Sequence, residues 1–207
     1  MQDTFQIHRY SPAVQTLLAP DRISPAAAGS LGPGRPNREV ASQLARLRAA
    51  DIVASPSIAD VSMANCCLAG LWLRHGFLDE SHRLSQEIET SSGSFWHAIM
   101  HRREPDYGNA KYWFRRVGKH PIFATLCRDA REMAGLVLTT ETLDAEARYL
   151  QELESWDPCR FVDLCQYAYP WEAREPSSPS LLLTQRIARR EWELLFDFCY
   201  QVARGES

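Results

Sequence analysis

The chain has 207 residues, of which 45% are hydrophobic and 24% charged, and a net charge of −3. A chain of this size forms one ordinary domain and buries enough surface to fold without disulfides or a structural metal. The balanced charge excludes a whole-chain basic field for nucleic acid or acidic membranes, and no apolar run approaches the ~20 residues that span a bilayer.

Residues 1–37 form an N-terminal arm. Pro12, Pro20, Pro25, Pro33 and Pro36, with Gly29, Gly32 and Gly34, interrupt any sustained period, so the arm reads as irregular. Met1–Tyr10 is polar and lacks the apolar stretch of a secretory signal. The six cysteines include no Cys-x-x-Cys pair. Reduced, buried thiols and a cytoplasmic location are therefore expected.

From Asn37 onward the apolar spacing is helical, and residues 38–207 read as a single helical domain. Asn37 can cap a helix over Arg38–Ala50. Ser57, with Asp60 three residues on, suggests a capping box for a helix that ends near His75 and Gly76. Further helices are expected at Leu78–Glu89, Ser94–Arg103, Tyr107–Val117, Pro121–Leu138, Leu143–Trp156, Cys159–Tyr169 and Pro179–Arg204. The best β candidate, Leu136–Thr140, is short. The fold class that follows is all-α, an irregular bundle of about eight helices built from helical hairpins. A loose echo at an offset of 29 residues, Ala69–Glu89 against Ala98–Gly118, leaves a tetratricopeptide/Sel1-like hairpin module as an alternative.

Charge is uneven along the chain. Residues 94–120 carry Arg102, Arg103, Lys111, Arg115, Arg116 and Lys119 against Glu104 and Asp106, whereas seven acids in 141–163 oppose only Arg148 and Arg160. Either the two regions face each other, or the basic one receives an anionic small molecule.

Reactive side chains concentrate in Phe95–Pro121. His97, His101 and Glu104 fall at i, i+4 and i+7, one stripe of a helix, beside an apolar face of Trp96, Ile99 and Met100. Two histidines at that spacing can share a divalent metal, and a carboxylate can add a third ligand or act as acid or base. Ala98 stands where a zincin would carry its glutamate, so that motif is excluded. Pro105 breaks the helix. Asp106 can cap the next one, on which Asn109, Tyr112 and Arg116 share a polar stripe opposite Ala110, Trp113, Phe114 and Val117. Arg102, Asp106, Asn109, Tyr112, Arg116 and His120 are the candidate ligand-binding residues, with His120 in a loop able to close over a pocket. His75 beside Gly76 suits a cationic ring at a helix C-terminus, and Cys66-Cys67 suits a core.

This stretch resembles the signature of an uncharacterised family of bacterial and fungal proteins, His-x3-His-Arg-x-Glu-x-Asp-x2-Asn-Ala-x-Tyr-Trp. The resemblance covers Trp72–Phe123 and implies no mechanism, because that family has no assigned activity. Three functional readings remain: a small-molecule-binding protein or enzyme with a polar His/Glu/Arg cleft, a hairpin module for a protein partner, and a metal-binding helical bundle. The last needs His82 or His120 to join His97 and His101, a spacing that does not match the DinB class of three-histidine bundles.

Overall fold

A computed structural model describes residues 5–19, 29–53, 57–138 and 144–206. Of these residues 72% are helical, and none lies in a strand. No helix among them is long and apolar enough to cross a membrane.

The arm is more ordered than its prolines suggest. A 3-10 turn at Ile7–Arg9 leads into α1 (Pro12–Leu18), because Pro12 suits the first helical position and Ser11 caps it through Val14 N. Tyr10, Val14, Leu17 and Leu18 are buried in the main core. The helix expected over Arg38–Ala50 is two short ones, α2 (Ala41–Arg46) and α3 (Ala49–Val53), and Asn37 spends its side chain on Glu39 N in the preceding turn.

The centre of the fold is a run of packed helices: α4 (Val61–Arg74), α5 (Leu78–Ser85), α6 (Ser91–Arg103) and α7 (Tyr107–Val117). Asp60 caps α4 by accepting from Met63 N at 3.0 Å, so Ser57 is not the cap. Thr90 caps α6 and Asp106 caps α7, each accepting from the backbone N–H three residues on. The turn that leads from α5 into α6 requires glycine at position 93, where a Cβ would sit 2.2 Å from the Ile88 carbonyl oxygen.

Downstream come α8 (Ile122–Leu138), the short α9 (Ala145–Arg148) with a 3-10 turn at Tyr149–Glu152, α10 (Pro158–Ala168), the one-turn α11 (Trp171–Arg174) and α12 (Pro179–Arg204). Leu136–Leu138, part of the β candidate, is helical, while Thr139 and Thr140 lie outside the described residues. Asp157 caps α10 through Cys159 N and Arg160 N; the helix expected over 143–156 stops at Glu152, where Leu153 turns extended. Leu143 falls outside the described residues.

α12 ties the bundle together. It packs on α4, α8 and α10, with Leu183 and Ile187 in one apolar cluster and Trp192, Leu195, Phe196 and Cys199 in the other. A repeat array contacts only nearest neighbours, so these contacts make the fold a closed bundle rather than a solenoid. The six cysteines are all free; a hydrogen bond with Cys199, then burial, pushes the Cys66 thiol well up, and burial does so for Cys67. The basic and acidic regions do meet: Lys111 on α7 pairs with Asp163 on α10.

Candidate metal centre

α6 is packed against α4, α5 and α7, and every residue from Ser92 to Arg103 is buried. The histidine stripe therefore lies inside the bundle instead of at its edge. A helix enclosed on three sides has no solvent face to which polar residues can be assigned, so its periodicity is weak.

His97 and His101 stack with centroids 4.7 Å apart and planes 19° apart. His82 on α5 approaches both edge-on, at 4.7 Å from His97 and 5.2 Å from His101. It does so because Leu78, Ser81 and Ser85 turn α5 inward and place His82 on the flank of that face. One nitrogen from each ring lies within 4.8 Å of the others. Trp113 closes the far side of His97, stacked at 4.0 Å and 20°.

Neither His97 nitrogen has a hydrogen-bond partner among the described residues, although the side chain is buried. Burial, with His101 and His82 as neighbours, holds the His97 imidazole down to about 3, so it is neutral. His101 is also shifted down, by burial against the pull of Glu104. Its Nδ1 lies 3.3 Å from Glu104 Oε2 and 3.9 Å from Asp106 Oδ2, and Asn109 Nδ2 lies 3.1 Å from its Nε2. Those partners fit the tautomer with Nδ1 protonated and Nε2 accepting from the Asn109 amide, a bond that a metal on Nε2 would displace. A carboxylate on the distal nitrogen is the arrangement that orients a metal-ligating histidine. His82, Glu104, Asp106 and Asn109 are the less buried members, so the cluster opens toward the α6–α7 turn.

The other candidates are placed differently. Arg102 is buried, paired with Glu191 of α12, and lies over the rings of Phe161 and Phe114, so it is no ligand clamp. Glu191's charge keeps the guanidinium protonated despite the cost of burial. Tyr112 and Arg116 are exposed, and the Arg116 guanidinium rides 5.1 Å over Trp113. His120 does not close over the histidines. It is a core residue 3.1 Å from Ser92 Oγ, accepting from Ile122 N and enclosed by Phe95 and Phe198. His75 is likewise buried against the Leu17 carbonyl and held down to about 4, so it carries no charge for the helix dipole.

His97, His101, Glu104, Asp106 and Asn109 are thus brought together, while Arg102, Tyr112, Arg116 and His120 are not. Trp113 and His82 complete the group. Trp113 read as plain core, and nothing in local spacing couples His82 to a helix that starts nine residues later. No family model, curated protein or solved structure matches the chain.

Proposed function

We propose that His82, His97 and His101 hold one divalent transition metal, zinc being the best fit to three imidazoles, and that the centre activates water on a small substrate. The observation that carries this reading is His97: a buried, neutral imidazole with both nitrogens unpartnered, where two other imidazoles converge. Leaving such a group unmet costs about 1–3 kcal/mol, which a metal bond would more than offset.

Three histidines leave a fourth position open, as catalytic zinc sites do, and a metal lowers the pKa of water bound there to ~7. Glu104 would orient His101 and, with Asp106, set carboxylates at the mouth that can accept the proton of that water. Bonds of ~2.0–2.1 Å bring ligand nitrogens about 3.3 Å apart. Small side-chain rotations would close the present separations and unstack His97 from His101.

Metal-stripped protein would be given zinc or cobalt(II), desalted and assayed for bound metal. About one equivalent is expected, with visible absorption from a four-coordinate cobalt site and quenching of Trp113 fluorescence. His82→Ala, His97→Ala and His101→Ala should each lose the metal. Uptake below about a tenth of an equivalent, or uptake indifferent to all three variants, refutes the reading.

A further inference from the structure

A second feature shares no residue with the histidine cluster. An open cleft of about 560 Å3 lies between the first half of α8 and the segment 153–158. Its size is that of a pocket for a drug-sized molecule. Phe123, Ala124, Leu153 and Trp156 give it an apolar floor, and Lys119, Arg128 and Arg131 bring cations to it, against one acid, Glu154.

Those cations are only partly neutralised. Arg128 pairs with Asp129, but the other oxygen of that carboxylate accepts from Arg190 at 2.8 Å, so one carboxylate serves two guanidiniums. Arg131 makes a long 3.4 Å bond to the Leu153 carbonyl, and Lys119 is exposed beside the cleft. Partly neutralised cations beside an apolar floor are a combination that selects charge at one end of a ligand and hydrocarbon at the other.

We infer that this cleft binds a small amphipathic anion, a carboxylate, sulfonate or phosphate on an aromatic or aliphatic body. The apolar body lies on Phe123 and Trp156, and the anionic head takes Lys119 at one end of the cleft. This inference is independent of the metal reading, and the test uses metal-stripped protein.

Two probes differ by a single group: 1-anilinonaphthalene-8-sulfonate and its uncharged parent, N-phenyl-1-naphthylamine. Each is titrated into the full chain by fluorescence at low and high salt. The sulfonate should bind with a single site and at least ~10-fold more tightly than the parent, and weaken as salt rises. Lys119→Glu should weaken it by about 10-fold, a discrimination loosened structure would not show. Ala124→Trp, at an exposed position on the floor, should abolish binding while circular dichroism stays unchanged. Equal binding of the uncharged parent overturns the proposal, as does sulfonate binding that survives Ala124→Trp.

Discussion

Acidification tests the interior directly, through two histidines outside the metal cluster. His75 and His120 are 2% and 5% exposed, and desolvation holds both imidazoles down to about 4. In the unfolded chain each titrates near 6.5. Because the folded value is the lower one, the native state gains from the neutral rings above 6.5 and loses that gain as pH falls. Between pH 7 and pH 5 the unfolded imidazoles take up about 0.7 of a proton each while the folded ones take up only about 0.1. Each pair of pKa values then costs about 2 kcal/mol, roughly 4 kcal/mol for the two. His97 and His101, also depressed, add to the loss in the same direction. A domain holds about 5–15 kcal/mol in all, so the protein should be close to unfolding at pH 5. Urea denaturation at pH 7, 6 and 5, with chelator and at constant ionic strength, measures this loss. The double variant His75→Gln/His120→Gln keeps hydrogen-bonding groups at both positions without the titration, and should recover about 4 kcal/mol of the pH dependence. A stability that stays level from pH 7 to pH 5, or falls as steeply in the double variant, refutes the reasoning.

Glu191→Gln should destabilise the fold by about 3–5 kcal/mol in chemical denaturation, because it strands the buried Arg102 guanidinium. Arg102→Met/Glu191→Leu, which removes both charges, should recover most of that loss. Gly93→Ala should cost about 1–3 kcal/mol, since its Cβ meets the Ile88 backbone. It should also weaken zinc uptake by spreading α5 from α6. Asp157→Ala removes the cap of α10 and should cost about 1 kcal/mol, with zinc uptake unchanged.

The fold was legible wherever one face of a helix meets water. α7 and α12 alternate apolar and polar residues at the helical period, and their ends were read within a residue because Asp106, Gly118 and Pro179 punctuate them. The helix expected over Leu143–Trp156 holds over Ala145–Glu152, but it tightens to a 3-10 turn at Tyr149 and stops where Leu153 turns extended. The site was half legible. His97, His101 and Glu104 announce themselves by local spacing, and Asn109 by its distance from a Pro break. His82 is legible only as an alternative to His120 for the third ligand, because its approach depends on how α5 lies on α6, where Ser81 and Ser85 are small residues whose meaning is tertiary. Arg102 was misassigned for the same reason. Its partner Glu191 lies 89 positions away on α12.

Three consecutive side chains leave the last turn of α6 in three directions. His101 meets Glu104 and Asn109, Arg102 meets Glu191 on α12, and Arg103 grips the carbonyls of Gly32, Pro33 and Leu73. A helix fastened at three points around its circumference cannot spin about its own axis, nor slide along it, without tearing at least one fastening. The angular setting of His97 and His101 is thereby fixed from outside their own pocket, by α12 on one flank and the N-terminal arm on another. Trimming that arm, whose sequence looks expendable, would leave Arg103 with the Leu73 carbonyl of α4 alone and loosen one of the three moorings that set the two imidazoles.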